Sequence, residues 1–222
     1  MAYLRQLLLP AVFLVISTFV FALPPPGYEV SENLQECRRL AGDLLEPAFD
    51  CYKNEFSEEM MSETRRLVGT TTCVPCKHLC RRHDQISACV RQGVELGKDI
   101  SNKSKIMIPF TGQLIDTTLH ILCDNEDEMF PVVTNEEGLC FRNATDTCDH
   151  HLDFIHNMEV VAFCDSANPD TDPFTQEYMC RKIADFLDCS KELVASCSEK
   201  IVQTLSTFKT KLFNSDACAA YN

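Results

Sequence analysis

The sequence has little of what a β-sheet or a tight hairpin needs. It contains no tryptophan and only 7 glycines in 222 residues, and alternation of polar and apolar residues is weak throughout. Leucine, glutamate, lysine, alanine and methionine are plentiful instead, and this composition favours helix over sheet. We therefore expect an all-α fold.

Motifs of the common enzyme classes are missing as well. The sequence has no nucleophile elbow, no P-loop and no dinucleotide-binding glycine fingerprint. Its 20 basic and 33 acidic residues give a net charge of −13, which argues against nucleic acid and anionic membranes as partners. We expect a protein without enzymatic activity and without a cofactor.

Beyond residue 22 the sequence has no unbroken apolar run of the roughly 18 residues that a membrane span requires. The earlier run, Leu7–Phe21, is short, follows a weakly basic start and ends in small or permissive residues. We predict that residues 1–22 are a cleaved signal peptide and that the mature chain starts at Leu23. The protein is then expected to be secreted and extracellular, without stable membrane association.

The sequence does contain helical periodicity across residues 31–222, after a proline-rich lead-in at residues 23–30. Apolar residues recur there at spacings of three and four. Ser31 can cap the first helix, Pro47 can start a second one, and Pro109 either opens a helix or kinks a longer one. The pattern predicts a single disulfide-rich helical domain of about seven to nine helices.

Turn-forming residues separate the later helices. The stretch Asp165–Pro173 is dense in turn formers and predicts a loop, whose Asp172 caps a helix that begins at Pro173. The longest regular segment is predicted from Ser190 to Asn214.

The fourteen cysteines are the strongest single feature of the sequence. An even number in a secreted chain indicates a disulfide framework, although the pairing does not follow from the spacing. We expect all of them to be bonded: Cys37, Cys51, Cys73, Cys76, Cys80, Cys89, Cys123, Cys140, Cys148, Cys164, Cys180, Cys189, Cys197 and Cys218.

The spacing of the later cysteines is distinctive. The specific pattern is Cys180-x8-Cys189-x7-Cys197-x20-Cys218, preceded by Cys80-x8-Cys89 and by Gly138-Leu139-Cys140-Phe141. Over roughly residues 75–218 the chain resembles the insect 27 kDa haemolymph glycoproteins. That resemblance implies a secreted, glycosylated, helical haemolymph protein of undefined role, and it supplies no catalytic residues.

Three chemistries are compatible with the four cysteines of Thr71–Val90. Cys73 and Cys76 have the spacing of a redox Cys-x-x-Cys motif, and Cys80 with His83 completes a set of zinc ligands. A βαβ context for redox chemistry is missing, and an oxidising compartment disfavours zinc thiolates. We therefore favour structural disulfides.

Two other groups of residues are typical of catalysis or metal binding. Cys80-Arg-Arg-His83-Asp84 is similar to the core of secreted phospholipases A2, but the glycine-rich calcium loop is missing upstream. A second group follows Cys148: Asp149, His150, His151, Asp153 and His156. Because His151 lies near the apolar face, we predict a half-buried structural histidine rather than a metal site.

Two sequons predict N-glycosylation, at Asn102-Lys-Ser104 and Asn143-Ala-Thr145. Each asparagine is expected to precede a helix, where a glycan has room.

Two functions remain open for a non-enzymatic protein of this kind, which we expect to be a monomer. The first is a circulating haemolymph-type protein that acts by binding an unknown protein or pathogen surface. The second is a carrier of a small apolar ligand, lipid or hormone-like, held in a cavity between helices. Helical periodicity does not separate a filled core from a pocket.

Overall fold

The described part of the chain is mostly helical. The computed structural model describes residues 34–68 and 73–222, and within them the chain forms nine α-helices and no strand. The predicted signal peptide, the lead-in and the capping residue Ser31 lie outside the described residues. The predicted all-α class and the predicted number of helices are confirmed.

The α-helices are α1 (Leu34–Glu55), α2 (Glu58–Val68), α3 (Val74–Arg81), α4 (His83–Gly97), α5 (Asn102–Asp124), α6 (Glu126–Met129), α7 (Asn135–Cys148), α8 (Gln176–Val194) and α9 (Glu199–Phe213). Between α7 and α8 lie a 3-10 helix (Asp149–Asn157), a π-helical turn (Glu159–Phe163) and a 3-10 turn (Pro169–Thr171), and a last 3-10 turn (Ala219–Tyr221) follows α9.

Side-chain caps explain where several helices begin. The Ser104 N–H donates to the Ser101 hydroxyl over 3.0 Å, and the Ser101 N–H donates to the Ser104 hydroxyl over 2.7 Å. Thr134 and Glu137 form the same reciprocal arrangement at the start of α7. These bonds satisfy backbone N–H groups that a first helical turn leaves without a helical acceptor.

Two prolines lie inside helices. Pro47 falls within α1, so the prediction that it starts a second helix is wrong, and Pro109 falls within α5, in agreement with the alternative of one longer helix. Both prolines are exposed, so water can bind the carbonyl groups that lose a helical partner. The apolar face of each helix therefore continues past its proline.

The predicted helix from Ser190 to Asn214 is in fact two helices. Ser190 is buried inside α8, which ends at Val194. The Ser198 hydroxyl accepts the N–H of Ile201 and caps α9. The prediction was wrong because the apolar spacing continues across the break.

The start of α8 also differs from the prediction. Thr175 caps it, accepting the Tyr178 N–H over 3.1 Å, so the prediction of a cap at Asp172 was wrong. Asp172 instead forms an ion pair with Lys103 of α5, and both side chains are about nine-tenths buried. The loop predicted at residues 165–173 is present and is attached in this way to the start of α5.

Helix α5 is the centre of the fold. It packs against α3 and α4, against α9, and against the π-helical turn. Helix α1 packs on α4, while α7 and α9 pack on α8. Within the described residues, α5 is also the one helix whose length and composition would suit a membrane span, and half of that stretch is buried inside the fold. It is the core helix that joins an N-terminal group of helices to a C-terminal group.

Residues 149–163, here called the 149–163 segment, form an irregular connection after α7. Cys148 precedes the segment and is bonded to Cys189 of α8, and Cys164 follows it and is bonded to Cys37 of α1. The segment changes from 3-10 to π-helical geometry at Met158, and most of its side chains are buried. It is therefore held at both ends by disulfides and lacks a regular α-helical hydrogen-bond pattern.

All fourteen cysteines form disulfides, as predicted. The pairs are Cys37–Cys164, Cys51–Cys89, Cys73–Cys76, Cys80–Cys123, Cys140–Cys197, Cys148–Cys189 and Cys180–Cys218. Three pairs lie within residues 51–123 and three within residues 140–218. Cys37–Cys164 joins the two groups.

Candidate apolar binding site

The cysteine-rich stretch, described from Cys73 onwards, is a structural junction. Cys73 pairs with Cys76 across the first turn of α3, and Cys80 pairs with Cys123 of α5. Because a cysteine binds zinc as a thiolate, these bonded sulfurs do not form the zinc set that the spacing allows. The stretch connects α3 to α5 covalently.

The residues that resemble a phospholipase core lie outside the linings of the two apolar cavities described below. His83 Nδ1 lies 3.4 Å from Asp84 Oδ1, and the His83 ring meets the ring of His120 edge-on, with centroids 4.6 Å apart. None of these three side chains lines either of the apolar cavities described below.

A different histidine of this region is the buried one. His78 is fully buried, and its Nε2 donates to the Glu55 carbonyl oxygen over 2.7 Å. Its Nδ1 therefore accepts from the Thr64 hydroxyl, also over 2.7 Å. Burial lowers the pKa of His78. The ring connects α1, α2 and α3, a role that sequence reasoning missed because the neighbouring cysteines dominate the stretch.

Among the histidines after Cys148, His151 is half-buried, as predicted. Its ring lies 4.0 Å from the ring of His150 between centroids. Burial lowers the pKa of His151, and the nearby His150 lowers it further. Across residues 34–68 and 73–222, no group of three or more histidine, cysteine, aspartate or glutamate side chains is arranged to hold a metal ion.

The two predicted glycosylation sites differ in their setting. Asn102 is exposed and is the first residue of α5. Asn143 is also exposed but lies inside α7, so the prediction that it precedes a helix is wrong. Thr145 of the same sequon is buried and donates to the Arg142 carbonyl oxygen. The apolar residues that follow Asn143 in the sequence have helical spacing. The first of them still lies within α7, so their spacing suggested a helix that starts after the sequon.

A first apolar cavity lies between α5, α7, α8, α9 and the 3-10 part of the 149–163 segment. Its volume is about 100 Å³, and no charged side chain lines it. Leucine, isoleucine, methionine and phenylalanine make up the lining, together with four threonines, Thr111, Thr118, Thr145 and Thr204. Half-buried lining residues such as Thr118, Ile183 and Phe208 mark the side that faces solvent.

The buried threonines add little polarity to this cavity. Thr111 donates its hydroxyl hydrogen to the Met107 carbonyl oxygen over 2.7 Å, and Thr204 donates to the Glu128 carbonyl oxygen over 3.1 Å. Thr145 donates to a carbonyl oxygen of its own helix as noted above. Their donors are thus used within the fold, and the cavity interior offers mainly methyl, methylene and aromatic surface.

A second apolar cavity lies between α1, α4 and α5. It also has a volume of about 100 Å³ and no charged lining residue. Tyr52 and Thr111 are the lining residues with a hydroxyl group, and Gly93 and Val94 of α4 form part of the wall. Phe163, from the π-helical turn, completes it.

The two cavities have a common wall. Thr111 and Ile115 of α5 and Met158 of the 149–163 segment line both of them. Met158 is buried and lies where the segment changes from 3-10 to π-helical geometry. One methionine side chain from an irregular segment and one face of α5 therefore separate two apolar spaces.

Comparison with protein-family models, with curated proteins and with solved structures finds no match to this chain. Function is therefore inferred from the geometry and chemistry of the chain itself.

Proposed function

We propose that the protein is an extracellular carrier of a small apolar ligand and has no enzymatic activity. The observation that supports this most directly is the first cavity, which opens between α5, α8 and α9 and has no charged lining residue. Binding of a hydrocarbon ligand in an apolar cavity of this kind is favourable, because it removes hydrocarbon surface from water. Its lining contains no acid, base or free thiol for chemistry, so binding is the function it suits.

An extracellular setting agrees with the disulfide content. Seven disulfides are typical of oxidising compartments, where such bonds form and persist. The signal-like start, the exposed Asn102 and Asn143, and the resemblance to insect haemolymph glycoproteins support a secreted, glycosylated protein of haemolymph. We prefer ligand transport to binding of a protein surface because the cavities provide a site for the former.

Binding of the uncharged fluorescent dye Nile red, with a variant that closes the cavity, tests this function. Ile183 lines the first cavity and is half-buried, so Ile183→Trp places a large ring across its open side. We expect this variant to bind Nile red at least about tenfold more weakly than the wild type, a loss of roughly 1.4 kcal/mol. The matched control is Ile106→Trp, since Ile106 is 63% exposed and lines neither cavity.

Equal affinity of the two tryptophan variants for the dye would place the dye on the surface and contradict the proposal. Native mass spectrometry of protein purified from its own fluid adds a direct readout. We expect a bound mass in the range of small lipids, lost on extraction with organic solvent.

A further inference from the structure

We propose that the two cavities form one binding channel for an unbranched alkyl chain and that Met158 is the movable partition between them. This inference rests on the proposed carrier function and names its class of ligand. Three residues line both cavities, and two of these, Thr111 and Ile115, belong to the central helix α5. Met158 is the third, and it belongs to the irregular 149–163 segment.

The side chain of Met158 is suited to this role. Methionine is unbranched and has several rotatable bonds, so it adopts different rotamers at low cost in energy. The β-branched Thr111 and Ile115 are stiff within a helix. If one of the three shared residues moves to admit a ligand, it is therefore Met158.

The backbone around Met158 can also change conformation. It lies between a 3-10 helix and a π-helical turn, and π-helical turns interrupt the regular hydrogen-bond pattern of a helix. The disulfides at Cys148 and Cys164 hold the two ends of the 149–163 segment. An ion pair between Arg38 and Glu159, 2.8 Å apart, holds the π-helical turn on α1. Movement is thus confined to the side chain and backbone near Met158, and the outer walls of both cavities stay in place.

Size and chemistry indicate the ligand. Each cavity has a volume of about 100 Å³, whereas pockets for small molecules usually have roughly 300–1,000 Å³. A ligand that buries much of its surface must use both cavities and the space that Met158 occupies. A passage as wide as one methionine side chain admits a linear chain, whereas a fused-ring molecule such as Nile red reaches only the open first cavity. The uncharged lining requires any polar head to stay at the open side, beside the half-buried Thr118.

A series of linear alcohols tests the channel. Octanol, dodecanol and tetradecanol compete with Nile red on the intact, disulfide-bonded protein. For the wild type we expect the affinity to rise roughly fourfold with each added methylene through tetradecanol, because each methylene is newly buried. In Met158→Phe, a bulkier and more rigid side chain blocks the passage, and we expect the gain to stop between octanol and dodecanol.

Two alanine variants provide the matched comparison. Met158→Ala removes the partition and should favour tetradecanol over octanol more strongly than the wild type does. Met179 lines the first cavity only, so Met179→Ala should change the affinity for all three alcohols by a similar factor. Thermal unfolding of each variant establishes that it is folded before binding is compared.

Two results would overturn the channel while leaving the carrier function intact. One is a wild-type affinity that stops rising at octanol, and the other is an unchanged gain in Met158→Phe through tetradecanol. Failure of all three alcohols to bind would instead reject the carrier function and the channel together.

Discussion

At the scale of single residues, His78 is the polar group on which the N-terminal helices depend. Its ring is fully buried, contacts Phe56 edge-on and bonds to Glu55 and Thr64, which belong to α1 and α2. Burial lowers the pKa of His78, so the folded protein binds a proton at this ring less readily than the unfolded chain does. The unfolded chain binds a proton there below about pH 6.5. The contribution of His78 to the free energy of unfolding is therefore greatest above that pH and falls as the pH decreases.

Replacement of His78 by glutamine tests this argument. His78→Gln should lower the free energy of unfolding near neutral pH by about 1–3 kcal/mol, because the hydrogen bonds of the buried ring to Glu55 and Thr64 are weakened or lost. The same variant should flatten the fall in stability between about pH 7 and pH 5. Denaturant unfolding across this pH range measures both effects, with the exposed His120→Gln as the control. A pH dependence identical to that of the wild type would show that His78 does not cause the acid sensitivity.

At the scale of helices, the contact between α4 and α5 depends on a glycine. A Cβ added at Gly112 would overlap Cγ2 of Val94, whereas one added at Gly93 would meet Ala48 Cβ at 3.4 Å, an ordinary contact. Val94 is β-branched and cannot easily turn away inside a helix. The two helices can therefore approach closely only with glycine at position 112.

Matched glycine-to-alanine variants measure this dependence. We expect Gly112→Ala to lower the free energy of unfolding by about 1–3 kcal/mol through overpacking. Gly93→Ala should be neutral or stabilising, because alanine favours a helix by about 1 kcal/mol over glycine. Val94→Ala combined with Gly112→Ala should recover part of the loss. Equal effects of the two single variants would contradict the close contact at Gly112.

The helices themselves were largely predictable, and their ends were less so. Apolar spacing identified the stripes of α1, α5, α8 and α9, since burial of one face produces that period. It misplaced the break after Val194, because the apolar spacing persists where the backbone bends. It also predicted a helix start at Pro47, since it does not reveal that the proline ring faces solvent. The cavities were not predictable, because periodicity reports which face is buried and not how completely the space between faces is filled.

At the scale of the whole molecule, disulfides divide the fold into two groups that share α5 and one covalent bond. Cys37–Cys164 spans 127 positions, and Cys73–Cys76 spans 3. In the loop-closure model, the longer bond stabilises the folded state by about 5 kcal/mol and the shorter one by about 2 kcal/mol. The long bond also holds one end of the 149–163 segment.

Paired alanine substitutions test this difference. Cys37→Ala with Cys164→Ala should lower the midpoint of thermal unfolding more than Cys73→Ala with Cys76→Ala. The first pair should also weaken tetradecanol binding, because it releases the wall between the cavities. The second pair should leave alcohol binding unchanged, since neither cysteine lines a cavity. A larger loss of stability from the second pair would mean that local packing around α3 outweighs loop closure.

The Cys37–Cys164 bond also imposes an order of events while the chain is being made. Cys51–Cys89, Cys73–Cys76 and Cys80–Cys123 can all close before Cys164 has been synthesised, because chains emerge from their N-terminus. Cys37 is the first cysteine of the chain, and its partner is the farthest away of any in the set. It is therefore the thiol with the longest exposure to exchange with its neighbours. The yield of correctly paired protein should then depend on whether Cys37 avoids forming a disulfide with another cysteine before Cys164 is available.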